Sequence, residues 1–146
     1  MRLREPSSPG DFEKYYLLRW EVLRKPWNQP RGTEKDANEN TAVHVMAVNE
    51  KEECVGVGRL QFNTTHEAQV RFMGVRDDQQ GKGVGKKIMQ FLEGKAKEKG
   101  AEKIVLDARE NAVAFYLSIG YVKVEKGHLL WGIIQHYKME KNLVTR

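Results

Sequence analysis

The chain has a single cysteine, Cys54, among its 146 residues. An intrachain disulfide is thereby excluded, and with no cysteine pair and no close His/Cys spacing there is no pattern of zinc ligands. A protein without metal in a reducing, cytoplasmic setting is the expectation. Long hydrophobic runs are missing too. The longest, residues 129–134, is far shorter than the ~20 residues that a membrane helix needs. The opening MRLREP is charged and lacks the apolar centre of a signal peptide, so the chain reads as soluble, unexported and without a membrane partner. It carries no internal repeat and no low-complexity tract. Lys and Arg outnumber Asp and Glu by 25 to 20, giving a net charge of +5 and favouring anionic partners such as phosphorylated cofactors. These basic residues form no run interleaved with aromatics, and nucleic acid is not expected among the partners.

What is present is ordinary for a folded protein: 40% hydrophobic and 31% charged residues, in a length that suits one domain over residues 1–146. Apolar residues at Phe12, Tyr15, Leu18, Val22 and Leu23 recur at helical spacing, with Pro9-Gly10-Asp11 as a start signal, and predict a helix over residues 12–23. Pro26 ends it. Residues 27–40 are rich in Pro, Gly, Asn and charge and should form a long surface loop. Strands are predicted at 42–49, 54–63 and 67–76, the first two as an antiparallel hairpin across the charged turn 50–53. Val84, Ile88, Phe91, Leu92 and Ala96 predict a helix over 83–99 that Gly100 closes. A short strand at 104–108 follows, then a helix over 111–119 with Asn111 as N-cap and Gly120 as stop, then late strands at 121–124 and 136–139. A right-handed crossover would set residues 70–75 parallel to 104–108.

The chemistry-bearing feature is the turn Gln80-Gly81-Lys82-Gly83-Val84-Gly85. Its three glycines follow a strand and open a helix, where backbone N–H groups and the positive helix end converge on an anion. Lys82, Lys86 and Lys87 surround it, which exceeds what a tight turn requires. A phosphate-binding loop of the Walker type would need Gly at position 80 and Ser or Thr after the lysine, where this chain has Gln80 and Lys87. A dinucleotide fingerprint would match Gly81 and Gly83 and find Asp107 downstream, but its third glycine position holds Lys86.

The pattern that fits is Gln/Arg-x-x-Gly-x-Gly/Ala, and with it the chain resembles the GNAT superfamily of acyl-CoA-dependent N-acyltransferases. The preceding Arg71-Phe72-Met73-Gly74-Val75-Arg76 is similar to that superfamily's fourth strand. Asn111-Ala112-Val113-Ala114-Phe115-Tyr116-Leu117-Ser118-Ile119-Gly120-Tyr121 is similar to its Asn-x-x-Ala-x-x-Phe-Tyr segment. Leu18 to Arg24 and His136 to Met139 extend the likeness to both ends. The resemblance implies a single α/β (α+β) domain with a mixed, mostly antiparallel sheet of about six to seven strands flanked by helices, and a parallel pair splayed at the cofactor site.

It implies acetyl transfer from acetyl-CoA directly to a primary amine. The alternative of the same fold is an acyl-CoA-binding or regulatory module without catalysis. Coenzyme A would be held by Met73, Gly74, Val75, Gln80, Gly81, Lys82, Gly83, Val84, Gly85, Lys86, Asn111, Phe115 and Tyr116. The pyrophosphate would sit on the turn and the pantetheine arm along 73–75. The Val75 backbone N–H would stabilise the oxyanion and Tyr116 would protonate the leaving thiolate. Phenol and thiol reference pKa values of about 10 and about 8.5 lie about 2 kcal/mol apart, a gap for local stabilisation to bridge. An alkyl-ammonium acceptor is almost wholly protonated at neutral pH, so a base is needed, and His136 at the cleft end of the last strand is the candidate. Arg19, Arg24, Arg109 and His136 are the candidate acceptor contacts, with Glu110 beside them. His44, His66 and His128 read as structural or surface residues. The acceptor is a small-molecule or peptide amine, and homodimer formation is left open.

Overall fold

The computed structural model describes residues 1–144. Seven strands form one sheet in the order β1-β2-β3-β4-β5-β7-β6, with β1 at Arg2–Arg4, β2 at Val43–Val48, β3 at Cys54–Phe62, β4 at Glu67–Val75, β5 at Lys103–Arg109, β6 at Val122–Leu130 and β7 at Ile134–Asn142. Every neighbouring pair is antiparallel except β4 and β5, which are parallel. This is the mixed, splayed sheet that the motifs imply. Strand β1 escaped the sequence reading because three residues are too short to carry a period.

Helix α1, Pro9–Leu23, begins where Ser8 accepts the Asp11 N–H at 3.0 Å, with Pro at the first helical position, so both ends of the start signal are used. It packs Tyr15 and Leu18 onto Met46, Val48 and Val57, on one face of the sheet. Helix α2, Val84–Glu98, buries Val84, Ile88, Met89, Leu92 and Ala96 on the other face, the i, i+4 stripe expected of it. Its approach is close. A Cβ on Gly56 would lie 2.7 Å from Ile88 Cδ1, and one on Gly58 would lie 2.8 Å from Ile88 Cγ2. Only glycine at these two β3 positions lets the helix lie this near the strand.

Three sequence expectations change. Parallel pairing joins Glu67 to Val70 with Lys103 to Leu106 and goes no further, so residues 71–75 lie along the gap instead of pairing with 104–108. Asn111 is not a helix N-cap. It sits in the 3-10 turn Glu110–Ala112, and α3 runs over Val113–Ser118 without a side-chain cap. The late strands are longer than expected, so His136 is the third residue of β7 and lies opposite Arg109 of β5.

The cause of the splay is visible in β4. Its register with β3 slips between Val57↔Gly74 and Arg59↔Arg71, so Gly58 faces both Phe72 and Met73. Phe72 takes the left-handed φ of 55°, a conformation that costs a non-glycine residue roughly 1–3 kcal/mol. This bulge turns both Arg71 and Phe72 toward the α1 face and returns Met73 to the α2 face, bending the strand away from β5.

Candidate functional site

The turn before α2 is a set of unmet donors. The first intrahelical bond runs from the Lys87 N–H to the Gly83 carbonyl at 3.1 Å, and Gln79 and Gln80 donate to the preceding turn. Among the described residues, the backbone N–H groups from Gly81 to Lys86 have no acceptor. Gly81 and Gly83 hold φ values of 77° and 83°, which only glycine adopts without strain. A Cβ added at either would meet nothing within 4 Å, so the space above the turn is open. Donors at a helix start facing open space fit a pyrophosphate. The Gln80 side chain folds back to donate to the Val75 carbonyl at 3.3 Å and to Asp77 at 3.4 Å.

Val75 stands beside the gap. Arg76 donates to the Val55 carbonyl at 2.9 Å, which makes Arg76 and Val55 a hydrogen-bonded pair of the β3–β4 ladder. Alternation along an antiparallel ladder then directs the Val75 N–H away from β3, toward the β5 side where pairing has ended. The donor proposed for the oxyanion is therefore free of the sheet. Gly85 lies under the same channel: a Cβ there would come within 2.9 Å of Met73 and 3.2 Å of Phe115.

A cavity of about 190 Å³ passes through the gap. Val70, Met73, Leu106, Ala108, Ala112 and Tyr116 line it from the α2 side, and Leu23, Arg24, Arg71, Phe72, Arg109 and His136 from the α1 side. Tyr116 is 7% exposed, and its hydroxyl has no hydrogen-bond partner among the described residues. Burial pushes this phenol well above its usual range, with the Arg109 charge pulling weakly the other way. The phenol is thus protonated at neutral pH, but burial widens its gap to a thiol instead of closing it.

His136 is buried, and its Nδ1 lies 3.0 Å from the Ile134 carbonyl oxygen. A carbonyl only accepts, so Nδ1 carries the proton and the Nε2 lone pair is free. Burial lowers the pKa of this ring, the backbone bond opposes it, and the nearby His128 and Arg109 lower it further. His128, expected in a late turn and outside the site, instead lies in β6 and stacks on His136 with centroids 4.2 Å apart and planes at 13°. The reason is a second bulge, where the β6–β7 register slips between Lys126 and Leu129. A bulge of this kind leaves no local mark in the sequence beyond Gly127.

The three arginines part company. Arg24 and Arg109 reach the cavity, while Arg19 does not. Arg19 is fully buried and donates to Glu39 at 2.9 Å, to the Glu34 carbonyl at 2.9 Å and to the Tyr15 hydroxyl at 2.8 Å, so it fastens the loop rather than touching an acceptor. Asp36 and Glu39 of that loop also bind the fully buried Arg59 at 2.6 and 2.8 Å, and Asp36 reaches Arg71 at 3.1 Å. The guanidiniums of Arg19, Arg24, Arg59 and Arg71 lie 4.4, 5.5, 4.8 and 4.9 Å from the centre of the Phe72 ring. His44 is structural, with Nδ1 2.8 Å from the Tyr15 hydroxyl and Nε2 2.7 Å from the Glu39 carbonyl. His66 is exposed, between β3 and β4. Tyr137 donates to Glu110 at 3.1 Å.

Residues 12–121 match the model of the Acetyltransferase (GNAT) family. The chain belongs to this family. It is 33% identical to the uncharacterized N-acetyltransferase YjcF of Bacillus subtilis (strain 168) over 127 residues, 87% of this chain and 89% of that protein. The GNAT architecture is shared with a putative N-acetyltransferase from Lactobacillus plantarum at a TM-score of 0.85 and 19% identity, each chain being 98% covered. An aminoglycoside 6'-N-acetyltransferase complexed with coenzyme A superposes at 0.83 with 16% identity, over 100% of this chain and 99% of that one. In this GNAT chain the sheet opens between β4 and β5, where parallel pairing ends at Val70 and Leu106. Among the described residues, no helix is long and apolar enough to cross a membrane.

Proposed function

We propose that this chain transfers an acetyl group from acetyl-CoA to a primary amine by direct attack, without a covalent enzyme intermediate. The run of unmet N–H donors from Gly81 to Lys86 at the start of α2 carries the reading. These donors suit the coenzyme's pyrophosphate, and the unpaired edge of β4 at Met73, Gly74 and Val75 suits the amide groups of its pantetheine arm. From the opposite side, Phe115, close to Gly85, and Tyr116, which lines the cavity, would flank the bound arm, with Asn111 in the turn before them. Lys82 and Lys86 add positive charge at the phosphates.

In the reaction the amine nitrogen attacks the thioester carbonyl, whose oxygen gathers negative charge against the Val75 N–H. His136 Nε2 takes the proton that the amine sheds. The carbon–sulfur bond then breaks, and the departing thiolate takes a proton from the Tyr116 hydroxyl. Cys54 has no part in this. It is buried against α1, where burial raises its thiol to about 11, too high for a ready nucleophile.

Thiol release from acetyl-CoA, measured across a panel of primary amines, tests the proposal alongside calorimetric titration with coenzyme A. Amine-dependent thiol release with a matching acetylated product by mass spectrometry is expected. Tight coenzyme binding with no release for any amine would identify a binding module and overturn it.

A further inference from the structure

The α1 side of the cavity holds two positive charges that make no ion pair among the described residues. Arg24 donates from Nη1 to the Leu23 carbonyl at 3.0 Å, and Arg109 donates from Nη2 to the same oxygen at 3.0 Å. Two guanidiniums therefore converge on one atom. Arg24 also donates from Nε to the Thr33 carbonyl at 3.0 Å. Among the described residues, no carboxylate lies within 4.0 Å of either, although Arg19, Arg59 and Arg71 close by are all paired with one. Most N–H groups of both side chains thus lack a protein acceptor, since a guanidinium carries five.

The remaining charged groups of the wall do not supply the anion. Arg71 is held by Asp36. Asp107 is the one acidic side chain among the lining residues, and it comes within 4.0 Å of neither Arg24 nor Arg109. His128 and His136 add nothing negative. Burial and the nearness of Arg109, Arg71 and Arg19 act against the charge on Arg24, and Glu34, beyond ion-pair distance, offsets them only in part. Two like charges drawn together in a half-buried cavity are held at a cost that a bound anion removes.

Resting on the acetyl-transfer reading, we infer that the acceptor is a small amine bearing an anionic group, which Arg24 and Arg109 grip while the amine faces Tyr116 and His136. A carboxylate or a phosphate matches the planar donor fork of arginine. The same wall repels polycations, so the structural likeness to an aminoglycoside acetyltransferase does not extend to that acceptor chemistry.

The test is calorimetry on the coenzyme A complex with 4-acetamidobutyrate, its primary amide and N-acetylaminoethyl phosphate, each standing for one product class, and with an aminoglycoside as a polycationic acceptor. The acid or the phosphate should bind at least about tenfold tighter than the amide, and whichever is tighter names the anion. Arg24→Gln and Arg109→Gln should each erase that preference with coenzyme affinity unchanged, and Arg109→Lys should keep part of it. Equal affinity of acid, phosphate and amide, binding by neither anion, tight binding of the aminoglycoside, or a preference that survives both glutamine variants would overturn the inference. Anion-selective binding without any acetyl transfer would leave it standing and sink the reaction instead. Transfer to neutral amines as efficient as to their carboxylated counterparts would do the reverse.

Discussion

Gly83 and Tyr116 represent two kinds of residue in this site, one needed for what it lacks and one for a single atom. Gly83 has φ of 83° and open space where a side chain would be. The Cβ of Gly83→Glu therefore meets no protein atom, and the cost to folding is the left-handed backbone, about 1–2 kcal/mol. Its cost to binding is far larger, because a carboxylate would stand beside the pyrophosphate, and like charges so placed cost several kcal/mol. Coenzyme A affinity should fall by about 100-fold or more while the circular-dichroism spectrum is kept, and unchanged affinity would remove the turn from the site. Tyr116→Phe removes only the hydroxyl. The turnover number should fall by about 100-fold, the lower range for a general acid, with coenzyme affinity preserved. With no acid left in the site, the residual rate of the variant should rise with thioesters whose thiols leave more easily. A turnover number equal to wild type would show that solvent delivers the proton.

The elements that shape the site differ in how openly the sequence announces them. The turn 80–85 is contiguous and its glycines set a local backbone, so it was legible, and the segment 111–121 was legible as a helix but not in its start, which a 3-10 turn takes. So were the helices α1 and α2, whose buried residues recur at helical spacing. Phe72 was not legible as a bulge, because its left-handed backbone is imposed by pairing with β3 and by the arginines around its ring. Arg59 was equally hidden. It lies inside a strand whose inward residues otherwise read as apolar, and its partners Asp36 and Glu39 arrive from a loop 23 and 20 positions away. His128 was misread for the same reason, since a bulge set by β7 aims it. The loop is where this hidden layer can be tested. Arg59 is fully buried and holds two carboxylates that are themselves mostly covered, so Arg59→Met should cost about 3–5 kcal/mol, the usual loss when one partner of a buried ion pair is removed. Urea denaturation would measure it. A loss below about 1 kcal/mol would mean that the loop is held by Arg19 alone.

At the scale of the whole molecule, these buried groups set how stability responds to pH. Burial lowers the pKa of both His44 and His136. His44 faces Tyr15, Glu39, Arg19 and Arg59, and His136 faces His128, Arg109 and Asp107. The unfolded chain, with histidines near the reference value of about 6.5, binds more protons than the native state once the pH falls below that point. Stability from these histidines is therefore complete above about pH 6.5 and is lost as the pH falls toward their native values. Asp36 acts in a lower window. Hydrogen bonding to Arg59 holds its carboxyl down at about 2, so its contribution is complete above the ordinary carboxylate range and drains away between about pH 4 and pH 2. Urea midpoints should decline in two steps, one between about pH 7 and pH 5 and a second below about pH 4. His44→Gln should shrink the first step and Asp36→Asn the second. A midpoint that stays flat from pH 7 to pH 5 would mean that the native state takes up those protons as easily as the unfolded chain, so that neither ring is held neutral by its surroundings. In that case His136 would keep a free lone pair only above about pH 6.5, and amine-dependent transfer should decline from that point instead of from a lower one.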